Sequence, residues 1–167
     1  MNRDQLRALQ NPLKERYRSD PASATVTLRA EGAVGEGVSC SVQTAKALVA
    51  AGLHPHTGGD GSMACSEDML LEALVACAGV TLASVATARG IALRDARAYA
   101  EGDLDFRGTL GVDRDAPVGF RAIRLRFEID SDEPRERLEE LVRTTAHYCV
   151  VFQTLHTPPR LSVSLSE

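Results

Sequence analysis

The sequence has no excess of positive charge. Its 19 lysines and arginines are outnumbered by 23 aspartates and glutamates, which gives the 167-residue chain a formal net charge of -4. A nucleic-acid surface is normally built from clustered lysines and arginines. We therefore expect a small molecule or a protein as the partner, and no nucleic acid.

Secretion signals are also lacking. Segment 1–19 is rich in Arg and Gln, without an apolar run that leads to a small-residue cleavage site. The four cysteines, Cys40, Cys65, Cys77 and Cys149, do not have the paired spacing of a disulfide framework. These absences predict a cytoplasmic protein in which any disulfide is transient and functional.

One apolar run, 69–88, is nearly long enough to cross a bilayer. Glu72 lies inside this run, small and hydroxylated residues dilute it, and the sequence has no second run of this kind. A helix that is apolar on most faces is typical of the centre of a soluble protein. We expect a buried central helix and no membrane partner.

Alternating side chains predict a hairpin early in the chain. Residues 24–30 and 37–43 alternate between apolar and polar side chains, and the glycine-rich segment 31–37 is predicted to be the turn between them. A short apolar piece, 47–51, and a Pro/His/Gly loop follow. Before the hairpin, 1–18 has leucines at helical spacing that Pro12 should kink or interrupt.

The central helix is predicted to begin at Ser66, whose hydroxyl would cap free N–H groups, and to end at Gly90. Two longer strands are predicted over 93–106 and 120–130, joined by a polar turn. Together with the hairpin, these elements indicate an α+β protein with antiparallel sheet.

A second helix is predicted from a cap at Asp132 to the stop at Pro158-Pro159, with Cys149 on its buried stripe. The alternation in 160–165 predicts a final strand. We expect an N-terminal helical arm over 1–20 and a single domain over 21–167.

Cys77 and Cys149 are the first candidates for chemistry. Free cysteine more often packs as a small hydrophobe, and a reactive cysteine must be a thiolate. Cys77 lies about three turns into its helix, which is too far from the N-terminus for the helix dipole to lower its pKa. The prediction is that a cation from elsewhere must activate it.

Glu67 is the second candidate, although an acid in a first helical turn also simply complements the dipole. The ten residues between Glu67 and Cys77 correspond to roughly 15 Å along a straight helix. The two side chains cannot meet within one helix. If they share a site, the loop folds back or another subunit supplies Glu67.

Histidines and glycines give weaker signals. His54, His56, His147 and His156 have no cysteine or acid at a recognisable ligand spacing, so no metal is expected. The sequence around Gly59 and Gly61 matches a relaxed dinucleotide pattern but follows a loop instead of a strand. We expect no cofactor.

The central segment nevertheless resembles a known family. Gly58-Gly59-Asp60-Gly61, Glu67, Leu70-Leu71, Ala73, Cys77 and the later Cys149 are similar to the pattern of the OsmC/Ohr family, small cytoplasmic proteins that reduce organic hydroperoxides. The resemblance implies an OsmC-like fold, with antiparallel sheets around two central buried helices, and an intertwined homodimer.

The resemblance also implies roles for individual residues. Cys77 would be the peroxidatic thiolate, Cys149 the resolving thiol, and Glu67 the acid that positions an activating arginine. The family's hydroperoxidases carry that arginine in the first hairpin, whereas the turn 32–37 has none, which leaves Arg29 as the nearest candidate. An organic hydroperoxide would be the substrate and an external dithiol the reductant.

Departures from the family pattern keep alternatives open. Cys65-Ser66 replaces the common Asn-Pro before the glutamate, and Val150 stands where a proline usually follows the second cysteine. One alternative is a protein that keeps the fold without fast peroxidase activity and acts as a small-molecule-binding or stress-associated protein. A histidine-based metal protein is the third interpretation.

Overall fold

A computed structural model describes residues 2–20, 31–34, 39–43 and 48–165 of the chain. Helices and strands are mixed, which confirms the predicted α+β class. The helices are α1 (Arg3–Ser19), α2 (Ser66–Arg89), α3 (Phe106–Thr109), α4 (Arg135–Tyr148) and α5 (Val150–His156), with a short 3-10 helix at Pro55–Thr57. The strands are β1 (Glu31–Val34), β2 (Ser39–Gln43), β3 (Leu48–Gly52), β4 (Ala64–Cys65), β5 (Asp95–Asp103) and β6 (Ala122–Asp130).

These elements belong to two compact units. The cysteine-pair unit consists of Met1–Leu6, Ala73–Tyr99 and Arg126–Glu167. The hairpin unit consists of Arg7–Glu72 and Ala100–Leu125. The boundary between an arm over 1–20 and a domain over 21–167 stays a prediction.

The hairpin unit contains a sheet in the order β1-β2-β3-β4. Strands β1, β2 and β3 are antiparallel, and β4 adds two residues parallel to β3. The predicted turn 31–37 is wrong in its first half, because residues 31–34 pair with β2 as a strand. Cross-strand pairing therefore overrides the local glycine content. The predicted strand 24–30 lies outside the described residues.

Strands β5 and β6 form a second sheet. The N–H of Arg94 donates to the carbonyl of Asp130, and the N–H of Arg121 donates to that of Asp103, both at 2.8 Å, so the strands run antiparallel as predicted. The expected polar turn between them contains α3, which sequence reasoning missed. Its cap is Asp105, whose carboxylate accepts from the N–H of Arg107.

The hydrophobic core described here lies in the cysteine-pair unit. One stripe of α2, with a residue every four positions, is buried and brings Leu82 and Ala86 against Leu141 of α4. The predicted bounds of α2 are confirmed to within one residue, yet Val80 on another face is 73% exposed. By length and composition alone α2 could also cross a membrane, a property that core helices of soluble proteins share.

Two predictions about the second helix are wrong. The second helix is not continuous, because the backbone of Cys149 is extended (φ -73, ψ 108) and separates α4 from α5. Asp132 is not the cap of α4, since Pro134 occupies that position without a side-chain hydrogen bond. Helix α1 runs through Pro12 without the interruption that the sequence offered as one possibility, and a kink at this residue stays a prediction.

The predicted final strand over 160–165 is also wrong, because this segment is in no strand. Its apolar side chains are almost fully exposed, namely Leu161 (88%), Val163 (99%) and Leu165 (99%). A strand needs a neighbouring strand for its backbone hydrogen bonds, which alternation in one segment cannot supply.

Candidate active site

The cysteine-pair unit brings Cys77 and Cys149 together. Cys77 projects from the middle of α2 and is half-buried, whereas Cys149 sits fully buried in the break between α4 and α5. Both are free thiols, and the side chain of Cys149 hydrogen-bonds to the sulfur of Cys77. The two thiols are therefore already in contact in the reduced chain.

Backbone geometry fixes Cys149 in this position. Its N–H donates to the carbonyl of Thr145 at 2.9 Å, which closes the last turn of α4. Its carbonyl accepts from the N–H of Gln153 at 2.9 Å, which opens α5. Because the first N–H groups of a helix have no partner inside it, the break at Cys149 leaves those of Val150 and Val151 free to bond elsewhere.

These N–H groups act on Cys77. Burial raises the pKa of the Cys77 thiol, but hydrogen bonds from the Val151 N–H, the Cys149 side chain, the Val150 N–H and the Thr81 side chain together outweigh it. The net effect is a pKa below the ordinary value for cysteine, which favours the thiolate.

The pKa of Cys149 moves in the opposite direction. Burial is the largest effect and raises the pKa of this thiol. The hydrogen bond with Cys77 and the negative charge on that sulfur raise the pKa further, while a hydrogen bond from the backbone N–H of Phe152 partly opposes them. Pairs of titratable groups whose surroundings drive their pKa values apart take different chemical roles. Here Cys77 is suited to be the nucleophile and Cys149 the protonated donor.

Backbone N–H groups and two side chains are thus among the largest influences on the pKa of Cys77, and the activating cation predicted from the sequence stays a prediction. Sequence reasoning missed this because it treated the second helix as continuous. The segment Tyr148–Val150 contains neither proline nor glycine, so no local signal marks the break.

Glu67 belongs to the hairpin unit and has its own partners. Its carboxylate accepts hydrogen bonds from the thiol of Cys65 at 2.7 Å and from the hydroxyl of Ser66 at 3.1 Å. The hydrogen bond from Cys65 holds the pKa of Glu67 below its usual value, with smaller contributions from the backbone N–H of Glu67, the hydroxyl of Ser66 and the electrostatic effect of His54. Glu67 is therefore ionised, and the Ser66 hydroxyl binds it instead of capping the helix backbone as predicted.

The sequence alone did not show whether Cys65 is reactive. It is buried, and burial together with its hydrogen bond to Glu67 raises the pKa of its thiol. It is protonated and poorly suited to nucleophilic attack. Arg29, the predicted partner of Glu67, lies outside the described residues.

A pocket of about 410 Å³ lies beside Glu67 in the hairpin unit. The ring of Phe106 stacks on those of His54 and His56, with centroids 4.8 and 5.5 Å away. No sequence pattern connects these rings, because about fifty residues separate them along the chain. Across the described part of the chain, no group of three His, Cys, Asp or Glu side chains could hold a metal ion.

Comparison with protein families matches residues 59–164 to the family described as OsmC-like protein. This match covers more than half of the chain and both cysteines. The chain belongs to the OsmC-like protein family. The fold class and the family implied by the sequence are thereby confirmed, and OsmC-like proteins are soluble.

Solved structures agree with this OsmC-like fold. An OsmC-like protein from Mycoplasma pneumoniae is 20% identical over 80% of this chain and 89% of its own, with a TM-score of 0.66. An organic hydroperoxide resistance protein OsmC from Legionella pneumophila is 18% identical over 80% and 93% of the two chains, with a TM-score of 0.64. At these identities the likeness shows the fold alone. No match was found among curated proteins.

A third structure carries a similar description. The organic hydroperoxide resistance protein from Elizabethkingia anophelis is 12% identical over 80% of this chain and 92% of its own, with a TM-score of 0.65. The OsmC-like family thus includes proteins named for hydroperoxide resistance.

Proposed function

We propose that this OsmC-like protein reduces organic hydroperoxides with Cys77 and Cys149. The observation that supports this activity most directly is the contact between the two thiols, whose pKa values move in opposite directions. A lowered pKa provides a nucleophilic sulfur, and a neighbouring thiol provides the means to resolve its oxidised form.

The reaction begins when the Cys77 thiolate attacks one oxygen of the peroxide. An S–O bond forms as the O–O bond breaks, the alkoxide leaves with a proton as the alcohol, and Cys77 becomes a sulfenic acid. The sulfur of Cys149 then attacks that of Cys77, which forms the disulfide and releases water. An external dithiol restores both thiols by exchange.

Glu67 and Arg29 are proposed as the pair that assists this reaction. Glu67 is ionised, and Phe106 lines the pocket beside it. A guanidinium both pairs with a carboxylate and stacks on an aromatic ring, so this pocket suits an arginine. If Arg29 has this role, replacing it with Gln lowers kcat/KM for hydroperoxide, whereas replacing it with Lys restores less than full activity.

The surroundings of the cysteines support a bulky, apolar substrate and a homodimer. Val80, one helical turn after Cys77, is 73% exposed, and Val150, next to Cys149, is 71% exposed. Apolar surface at a reactive thiol favours an alkyl tail, which gains from leaving water. A second copy would cover the part that the substrate leaves free. We propose the cytoplasm as the location, without a membrane or nucleic-acid partner.

The second candidate function is small-molecule binding without fast peroxide reduction. The 410 Å³ pocket with its stacked rings supports this alternative, since it does not depend on the thiols. A thiol titration separates the two functions. A Cys77 pKa close to that of free cysteine indicates binding, and a clearly lower one indicates catalysis.

The decisive experiment adds one equivalent of cumene hydroperoxide and identifies the products by mass spectrometry. The proposal predicts a Cys77–Cys149 disulfide in the native protein and no peroxide consumption by C77S. C149S should turn over once and stop as sulfenic acid. C65S is the matched control and should behave as the native protein does. Equal consumption by C77S and the native protein would reject the peroxidase.

A further inference from the structure

The break between α4 and α5 changes which group satisfies one of the last carbonyls of α4. In a continuous helix, the carbonyl of Ala146 accepts a hydrogen bond from the N–H four residues later, which is that of Val150. In this chain the side-chain amide of Gln153 donates to the Ala146 carbonyl instead, at 2.9 Å. The amide therefore supplies the hydrogen bond that a carbonyl at a helix end otherwise lacks.

The backbone of Cys149 shows why Val150 does not make this hydrogen bond. The ψ angle of a residue sets the direction of the next N–H, and ψ is 108° at Cys149. A helical ψ is about −42°, so the Val150 N–H is turned by roughly 150° away from the direction of the Ala146 carbonyl. It donates to the sulfur of Cys77.

We propose that Gln153 is a positioning residue, whose amide occupies the Ala146 carbonyl and thereby leaves the Val150 N–H free to donate to Cys77. Without this amide, the carbonyl would lack a partner, and closing the helix through Cys149 would satisfy it with the Val150 N–H. Cys77 would then lose a donor. This inference rests on the hydroperoxide reduction proposed above, because the thiolate of Cys77 serves that reaction.

Gln153 is well placed for this contact. Its backbone N–H donates to the carbonyl of Cys149 at 2.9 Å, so Gln153 lies one turn into α5. Side chains of a helix lean toward its N-terminus, and the N-terminus of α5 lies where α4 ends. A glutamine amide is also neutral, so it satisfies the Ala146 carbonyl without adding a charge to the site.

The rate of Cys77 alkylation against pH tests the position of the Val150 N–H. Gln153→Met keeps the length of the side chain and removes its donor. Alkylation by iodoacetamide near neutral pH should slow roughly twofold to fivefold, and the profile should move to higher pH, because the thiolate loses a hydrogen bond. Thr154→Val is the matched control, since it removes a side-chain hydrogen bond of 2.8 Å within α5 and should keep the native profile.

A proline background separates positioning from a general structural role. In Val150→Pro, the proline itself favours the extended backbone of Cys149 and has no N–H to lose. The profile of V150P/Q153M should therefore coincide with that of V150P, so the two substitutions are not additive. If Gln153→Met slows alkylation by the same factor in both backgrounds, Gln153 acts on the fold in general and the positioning role is overturned.

NMR detects the exchange of partners directly. The coupling through a hydrogen bond between the Val150 nitrogen and the Ala146 carbonyl carbon should be absent in the native protein and present in Gln153→Met. Its presence in the native protein would show that the Val150 N–H is not free, which overturns the inference.

A second variant covers the case in which Gln153→Met does not fold, as judged by circular dichroism. The side chain in Gln153→Asn is one carbon shorter, so its amide does not reach the Ala146 carbonyl and the same shift to higher pH is expected. A native profile in the folded variant overturns the inference. Hydroperoxide consumption by the native protein is measured separately. If there is none, the proposed function fails, while the alkylation profiles still decide the role of Gln153.

Discussion

The backbone N–H of Val150 donates a hydrogen bond to the sulfur of Cys77. The OsmC/Ohr pattern usually has a proline at this position, and proline has no N–H to donate. The break between α4 and α5 therefore gives this chain one more donor for the thiolate than the common sequence would. Val150 therefore departs from the family pattern and, through its N–H, helps to lower the pKa of Cys77.

Replacing Val150 with Pro tests this contribution. Val150 is the first residue of α5, where proline is well tolerated, and the extended backbone of Cys149 suits a residue before proline. The variant should fold, but the loss of the N–H raises the pKa of Cys77. Iodoacetamide alkylation of Cys77 near neutral pH should slow by roughly threefold to tenfold.

Val150→Ala is the matched control for this variant. It shortens an exposed side chain and keeps the N–H, so its alkylation rate should equal that of the native protein. Equal rates in the proline variant and the native protein would show that this hydrogen bond does not affect the thiolate.

The pH dependence of Cys77 should report its contact with Cys149. The Cys149 side chain lowers the pKa of Cys77, so Cys149→Ala raises it, and the alkylation profile moves to higher pH. Cys149→Ser keeps a hydrogen-bond donor, so its profile should stay close to the native one. The measurement is the rate of Cys77 alkylation against pH in all three proteins, and coincident profiles would contradict the contact.

Cys65 should affect Glu67 without taking part in peroxide reduction. The thiol of Cys65 is the main cause of the lowered pKa of Glu67, so Cys65→Ala moves that pKa back toward its ordinary value. Carboxyl NMR titration of Glu67 measures the change. A group with a lowered pKa in the folded protein stabilises it above its unfolded pKa, and this contribution is lost as pH falls. The alanine variant should therefore lose stability at neutral pH and converge with the native protein in acid.

Cys65→Ser separates this role from redox chemistry. The hydroxyl can still donate to Glu67, so both the titration and the hydroperoxide activity should stay near native values. A loss of activity in Cys65→Ser would show that the protonated thiol has a reactive role after all.

The sequence predicted the parts of the fold that depend on local pattern. The end of α2 follows from Gly90, and the strand over β6 follows from strict alternation, so both lie close to their predicted bounds. The break at Cys149 was missed because it depends on where the chain packs against α2, and no glycine or proline marks it. The segment 160–165 alternates as a strand does but has no neighbouring strand in a single chain.

The candidate site likewise has features that follow from local sequence pattern and features that depend on long-range packing. Cys77 and Cys149 were singled out by their positions on predicted apolar helices. Their contact depends on the packing of segments that lie far apart in the sequence. The influences on their pKa values come from backbone N–H groups, which every residue but proline carries. A sequence therefore reveals which thiols are candidates, while the source of activation depends on the position of a helix end.

The stability of this arrangement should depend on Leu141. Its side chain is fully buried in the core with Leu82 and Ala86, and it lies two helical turns before the end of α4, which Cys149 follows directly. Leu141→Ala leaves a cavity and should reduce the free energy of unfolding by about 2–5 kcal/mol. Val112→Ala removes a side chain that is 73% exposed and should change it by less than about 0.5 kcal/mol. Urea denaturation of the two variants measures both changes in the free energy of unfolding. A comparable decrease in each would show that the core around Leu141 does not stabilise the unit that contains the thiols.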